Sequence, residues 1–258
     1  MTVTLKDLKK QRIAFDSKCR VTCLTVLGLD GMHLSEIENQ TEEYCIKAVK
    51  NNDKALKYVK EQTPEICMAA VKNRGMALKY VKNKTPELCL AAVSRDGCAL
   101  QFVDDKTPEI CLAAIKNDGY ALKFIENKTP ELCLLAVKRD SDALEFIKEQ
   151  TEEMCMIAVK DYGKTLEYVL NQTPEICLAA VESDGAALKY VKRQTPEICL
   201  AAVENNGVAL KYVKDKSNYY EVAIMSDSEA LEFVDEQTEE LCLLAVKQDG
   251  MMLEYVKD

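Results

Sequence analysis

Nine cysteines, at positions 23, 45, 67, 89, 111, 133, 155, 177 and 199, lie 22 residues apart, and Cys242 rejoins the series after a unit one residue short. This interval constrains the fold more than any other feature of the chain. A fixed period of roughly 20 to 50 residues marks a solenoid, in which each unit buries its apolar face only against its neighbours. Counted from the Thr of the phrase T-P-E-[IL]-C-L-x-A-V-K-x-[DN]-G-x-A-L-K-[YF]-V-K-x-[QK], repeats begin at Cys19, Thr41, Thr63, Thr85, Thr107, Thr129, Thr151, Thr173, Thr195, Ser217 and Thr238. Residues 1–18 stand outside as a basic amino-terminal extension or cap. The array of eleven repeats spans 19–258, with divergent units at 19–40 and 217–237.

Within a repeat the Thr reads as a helix N-cap. The Pro fits the first helical position, where its missing N–H costs nothing, and the Glu suits the positive end of the helix dipole. All six prolines occupy position 2 and eight of the nine glycines occupy position 13, where the first helix is expected to stop at a C-cap glycine. The following x-A-L-K-[YF]-V-K has helical spacing and predicts a second, shorter helix. The expected fold is therefore all-α, an α-solenoid of eleven 22-residue helix–turn–helix repeats. Neither helix reaches the roughly 12 to 15 residues at which an isolated helix is even marginal, so stacking must supply the stability. At about 8–10 Å between neighbouring helices, the stack would be on the order of 100 Å long. Positions 4, 5, 6, 8 and 9 of the first helix are apolar (Ile66, Cys67, Met68, Ala70, Val71), leaving a narrow outward stripe at 3, 7 and 10. The second helix is expected to bury 15, 16 and 19. The leucine-rich strand phrase L-x-x-L-x-L is absent.

The net charge of −9 gives no electrostatic footprint for nucleic acid. With 48% hydrophobic and 30% charged residues the chain has enough apolar material for a core. No apolar run approaches the roughly 18–20 residues of a membrane span, and the charged start MTVTLKDLKKQRIAF is unlike a secretory signal. A cytoplasmic protein with no membrane contact is expected.

The phrase T-P-E-I-C-L-A-A-V, then D-G, then A-L-K-Y-V, as it stands at Thr173–Val191, resembles an uncharacterised "domain of unknown function" repeat family of giant amoebal viruses, seen also in amoeba-associated bacteria. The resemblance covers residues 19–258 and implies a helical-repeat fold and a viral source, with host cytoplasm or viral factory as the place of work. It brings no catalytic residues with it. The first repeat departs with Cys19 for Thr, His33 for Ala and Glu36 for the aromatic, and the Ser217 repeat lacks the Pro, the Cys and one residue.

Cysteines one helix spacing apart are too distant for a disulfide or a shared zinc, so the ladder is expected to be structural, each thiol a small buried hydrophobe. Cys19 and Cys23 are close enough in sequence to share a helical face, without the further ligands a metal needs. His33 is the only histidine, and no phosphate loop, paired-His motif or nucleophile elbow occurs. No enzyme activity, cofactor or metal is expected. Glu recurs at position 3 in nine repeats, read as helix-dipole stabilisation. An aromatic recurs at position 18 in ten (Tyr58, Tyr80, Phe102, Phe124, Phe146, Tyr168, Tyr190, Tyr212, Phe233, Tyr255), read as packing between repeats. The alternative use of that aromatic ladder is base stacking by a single-stranded RNA reader.

Departures at exposed positions are the expected partner-binding residues. Leu135 and Ile157 replace the usual Ala at position 7 of adjacent repeats, and Tyr120, Tyr162 and Leu170 are further apolar departures. Residues 1–18 carry net +3 and residues 217–258 net −9, so the acidic end, with Tyr219, Tyr220, Asp235, Glu236 and Tyr255, is expected to meet a basic partner or the start of another copy, head to tail. The resulting functional expectation is a protein–protein scaffold or adaptor of a giant virus, within a gene-expression or translation-initiation complex. Nucleic acid is the lesser expectation.

Overall fold

A computed structural model describes residues 20–257, so Cys19 and the basic extension 1–18 lie outside the described residues. Among those residues there is no strand. The described residues alternate eleven α-helices with short 3₁₀ helices. The α-helices are α1 Arg20–Leu29, α2 Glu42–Asn51, α3 Pro64–Asn73, α4 Pro86–Arg95, α5 Pro108–Asn117, α6 Pro130–Arg139, α7 Glu152–Asp161, α8 Pro174–Ser183, α9 Pro196–Asn205, α10 Tyr220–Ser226 and α11 Glu239–Gln248. The fold is an all-α repeat solenoid, as the 22-residue period implies. It divides into two compact bodies, Met1–Asn127 and Lys128–Asp258. In the first, each of α1 to α4 packs on the next; in the second, each of α6 to α10 does so.

The start of each α-helix is built as its sequence dictates. From Thr41 to Thr195, and again at Thr238, the Thr hydroxyl accepts the N–H of position 4, as Thr63 does from Ile66 and Thr173 from Ile176. This satisfies one of the donors every helix start leaves open.

The end of the helix differs from expectation. The α-helix closes at position 11, and the residue that stops it is position 12, held extended (Asp184 at φ −149°, ψ 109°) with its N–H still bonded to the position-8 carbonyl. That one residue is both the C-cap of the α-helix and the N-cap of the next element. In most repeats its Asp or Asn side chain accepts the N–H of position 14, as Asp184 does from Ala186 at 2.9 Å. The glycine then opens the second element and is not a left-handed C-cap. That second element is a six-residue 3₁₀ helix from position 13 to the aromatic at 18, for example Gly185–Tyr190. Tighter winding suits a segment this short, because 3₁₀ runs are stable only as brief pieces packed on something else.

Positions 4, 5, 8 and 9 of the α-helix and 15, 16 and 19 of the 3₁₀ segment form the core; in repeat 3 these are Ile66, Cys67, Ala70, Val71, Ala77, Leu78 and Val81. Position 6 does not belong to it. Met68, Leu90, Leu134, Met156 and Leu178 are half-exposed, and Leu112 and Leu200 are exposed. The α-helices are covered by their neighbours and by the 3₁₀ layer, and among the described residues no third layer lies over their outer face. Position 6, a further 100° around the helix from position 5, falls on that uncovered side.

Candidate functional site

Two polar seams join consecutive repeats, and they absorb most of the hydrogen-bonding chemistry the sequence offers. At one edge, the Gln at position 22 reaches into the following repeat. Gln172 donates from Nε2 to the Tyr190 carbonyl (2.9 Å) and to the Leu166 carbonyl of its own repeat (3.4 Å), while its Oε1 accepts the Lys192 N–H (2.9 Å). Gln40, Gln62, Gln150 and Gln237 make the same pattern, and Gln194 most of it. At two of the joints where Lys stands instead, an ion pair forms: Lys84 Nζ lies 3.1 Å from Asp104 and Lys216 Nζ 3.6 Å from Asp235, the acid coming from the next repeat. At the other edge, the side chain at position 11 reaches back. Asn205 Oδ1 accepts the Gly185 N–H (2.7 Å) and its Nδ2 donates to the Glu182 carbonyl (2.8 Å); Asn51 bridges Gly31 and Gly28 likewise.

The ladder cysteines border the first seam. Cys67 and Cys177 direct their S–H at the Gln62 and Gln172 Oε1 (3.8 and 3.7 Å). From Cys45 onward these are free thiols, buried except at Cys242. Burial pushes the Cys45 thiol up to about 11, with Glu42 adding to it, and pushes Cys67, Cys89, Cys111, Cys133, Cys155, Cys177 and Cys199 in the same direction. Off the ladder, burial and a hydrogen bond to Asp118 (3.2 Å) push Cys98 up to about 12. A thiol held this far from its thiolate is a poor nucleophile and a poor metal ligand. No group of three or more His, Cys, Asp or Glu among the described residues is placed to hold a metal ion. No described helix is long and apolar enough to cross a membrane.

The glycines at position 13 mark where repeats come closest. A Cβ at Gly75 would stand 2.3 Å from the Ala92 carbonyl oxygen and 2.6 Å from the Asp96 Cβ, both of the following repeat. Gly31, Gly97, Gly163, Gly185 and Gly207 meet the equivalent Ala carbonyl at 2.1–2.5 Å. The requirement is for close approach of two backbones. Three repeats put a side chain there, Asp53, Ser141 and Ser228; after the first two the next repeat has Arg74 or Tyr162 in place of the small Asp or Asn at position 12, whereas after Ser228 it keeps Asp249. Asp53 then pairs with Arg74 (3.6 Å), and Ser141 hydrogen-bonds Asp161.

The other recurring groups have local partners. Glu87 and Glu131, at position 3, are held below the usual carboxylate range by their own backbone N–H and by the capping Thr, a role at the helix start. The position-18 aromatics are mostly half-buried, and lysines stand over several rings: Lys57 over Tyr80 at 4.7 Å, Lys211 over Tyr212 at 5.0 Å and over Phe233 at 5.6 Å.

Of the expected partner-binding residues, Leu135 and Ile157 stand at the same register on the adjacent helices α6 and α7, half-exposed, next to the half-exposed Leu134 and Met156. Tyr162 and Leu170 are exposed but lie at opposite ends of α7, Tyr162 capping its carboxy end and Leu170 bonded through its N–H to Gln150 beside its amino end. A ten-residue helix separates them by about 15 Å. Tyr120 belongs to the first body, half-buried with Lys123 over its ring at 5.3 Å. Tyr219, Tyr220 and Asp235 are tied into the shortened repeat: Tyr219 Oη donates to the Pro196 carbonyl (3.4 Å), Tyr220 Oη to Asp235 (3.4 Å), and Asp235 pairs with Lys216. Glu236 is exposed, and Tyr255 stands exposed in the last repeat. The position-11 and position-22 side chains were not singled out from sequence. The available signal at 22 was pairing: Gln is followed at position 20 of the next repeat by Lys or Leu, whereas Lys84, Lys106 and Lys216 are followed by Asp104, Glu126 and Asp235; Lys128, followed by Lys148, is the exception.

The family model of the domain of unknown function DUF4116 matches three stretches, 41–84, 85–129 and 173–216, together about half of the chain. The chain belongs to this family. Neither curated proteins nor solved structures give a match. The three DUF4116 matches fall on repeats 2 to 5 and on repeats 8 and 9. Leu135, Ile157, Tyr162 and Leu170 all fall between the second and third matches, and Tyr219, Tyr220, Asp235, Glu236 and Tyr255 all follow the third; Tyr120 alone lies inside one.

Proposed function

We propose that this DUF4116 chain is a non-enzymatic scaffold that holds protein partners, working as an adaptor of a giant amoebal virus in the host cytoplasm or viral factory, within an assembly such as a gene-expression or translation-initiation complex. The observation that carries the reading is the division of labour among repeat positions. Core and seam positions recur from repeat to repeat, whereas the surface departures concentrate in the repeats outside the family matches. A solenoid specialises in this way, with a fixed framework presenting variable side chains. Leu135 and Ile157, flanked by Leu134 and Met156, make a compact apolar patch on the outer face of α6 and α7. Aliphatic side chains grouped at one place suit a partner's apolar anchor better than a nucleic-acid backbone.

The RNA reading is less favoured by the same geometry, because stacking needs open ring faces and lysines already cover Tyr80, Tyr190 and Tyr212. The test compares tagged wild-type chain with the double variant Leu135→Ala/Ile157→Ala in pull-downs from infected host cells, read by mass spectrometry. A protein partner held by wild type and lost from the variant, with unchanged thermal melting, is the expected result. Identical partner sets on both would overturn the patch, and salt-sensitive recovery of RNA in place of protein would overturn the reading.

A further inference from the structure

We infer that the outer face of α3, α4 and α5 is a docking site for an amphipathic α-helix of a partner protein, laid across the three helices. The site lies in the first body, apart from the Leu135/Ile157 patch, and goes beyond the scaffold reading by naming what is held and how. Position 6 is Ile, Leu or Met in every repeat from the second to the ninth, and none of these side chains is buried. Core packing explains the apolar residues at 4, 5, 8 and 9, but not one that recurs on the side no described element covers. A contiguous exposed apolar row rimmed by polar groups marks a protein-binding surface. On α3 to α5 the row is Met68, Leu90 and Leu112. Ala69, Ala91 and Ala113 run beside it at position 7, half-buried, and leave a low strip where another element can come close.

Charge identifies the occupant. Exposed Glu65, Glu87 and Glu109 line the amino-terminal side of the row at position 3. Exposed Lys72 and Lys116 line its carboxy-terminal side at position 10, and where α4 has Ser94 instead, the exposed Arg95 follows. None of these six charges is in a salt bridge among the described residues. Positions 3 and 10 lie about 10 Å apart along a helix axis, the width of one α-helix with its side chains. A helix seated between the two lanes places its apolar stripe on Met68, Leu90 and Leu112, a basic flank on the glutamates and an acidic flank on the lysines and Arg95. Three helices about 8–10 Å apart make the row about 16–20 Å long, which about 11–14 residues of helix cover. Anchors at i, i+3, i+4 and i+7 are how an apolar groove takes a helix.

The opposed lanes also fix direction, because turning the helix end for end brings like charges together. The second body does not repeat this arrangement. There Lys138 is already paired with Glu153, and beyond Lys160 position 10 becomes Glu182 and Glu204, so both lanes are acidic.

The probes are fluorescent peptides of about 18 residues that share one leucine stripe and differ in their flanks: Lys on one side and Glu on the other, Lys on both, or Glu on both. Anisotropy titrations against the full chain at physiological ionic strength are expected to rank the mixed peptide tightest. Lys72→Glu/Lys116→Glu alters only exposed charges; it should weaken the mixed peptide about tenfold and move the preference to the all-Lys peptide. Leu90→Gln/Leu112→Gln should weaken all three with unchanged circular dichroism, and Leu112→Gln alone serves if the pair fails to fold. Leu135→Ala/Ile157→Ala should leave the ranking intact, which keeps this site distinct from the patch in the second body; a ranking lost there overturns the inference. So does equal binding of the three peptides to wild type, or a ranking indifferent to Lys72→Glu/Lys116→Glu. Self-association of the chain that Leu90→Gln/Leu112→Gln abolishes also overturns it, since a second copy would then cover the face.

Discussion

Replacing Gly75 by alanine tests the account of position 13 most directly, because the same chain supplies its control. The added Cβ would stand 2.3 Å from the Ala92 oxygen, about 1 Å inside ordinary contact, and 2.6 Å from the Asp96 Cβ. The oxygen is backbone and cannot rotate away, so relief requires repeats 3 and 4 to separate along their whole joint. Overpacking of this kind costs about 1–3 kcal/mol, and a backbone neighbour puts it in the upper part of that range. Restricting the unfolded chain returns about 0.4–1 kcal/mol, leaving a net loss of about 1–2 kcal/mol. For a chain of this size that lowers the melting temperature by about 2–8 °C. Gly250→Ala meets nothing within 4 Å and should keep only the unfolded-state gain, melting slightly above wild type. Thermal melts of both variants at low protein concentration, read by circular dichroism, decide the matter. Equal melting temperatures would refute the argument that close approach, and not the turn itself, demands glycine.

The seam predicts that Gln172→Ala, which strands the Tyr190 carbonyl and the Lys192 N–H, costs about 1–3 kcal/mol in denaturant unfolding; Gln172→Lys should be rescued by Lys192→Asp, copying Lys84 and Asp104, with a favourable coupling energy in the double-mutant cycle. An absence of coupling would show that the two joint types are not exchangeable. The thiols predict an alkaline weakness. Burial raises their folded pKa values above the ordinary thiol value of about 9, so the stability they contribute is fully present below pH 9 and is lost as pH rises toward about 11 for Cys45 and about 12 for Cys98. Unfolding midpoints should therefore fall from pH 8 to pH 10, and Cys→Ala changes at several ladder positions should flatten that fall; an unchanged slope would remove the thiols as its cause.

The sequence specified the period, the helix starts and the core with little ambiguity, because each of these is a local signal written many times. Thr at the cap, Pro behind it and apolar residues at 4, 5, 8 and 9 need only the geometry of one helix to interpret. Local signals mislead where meaning depends on the neighbouring repeat. Glycine at 13 looks the same in sequence whether it provides a left-handed turn or room for another backbone, and only the Ala92 oxygen over Gly75 tells the two apart. Position 6 looked buried because the helix is apolar nearly all round. Which side goes uncovered is decided by the absence of a third layer, a property of the stack.

The same distinction separates the parts of the candidate surface. Leu135 and Ile157 could be placed together from sequence because they share a position number in adjacent repeats, and stacking brings equal positions side by side. Tyr162 and Leu170 differ in position number, and the intervening helix holds them at opposite ends of α7. Tyr219 and Tyr220 were conspicuous because they break the repeat pattern, yet their hydroxyls bond to the Pro196 carbonyl and to Asp235, securing a repeat that has lost its Pro, its Cys and one residue. A broken pattern in a repeat protein thus has two physical sources, repair of a damaged joint and specialisation of a surface. Partnered departures such as Tyr220 belong to the first. Leu135 and Ile157, on an outer face that no described element covers, belong to the second, and binding experiments should begin there.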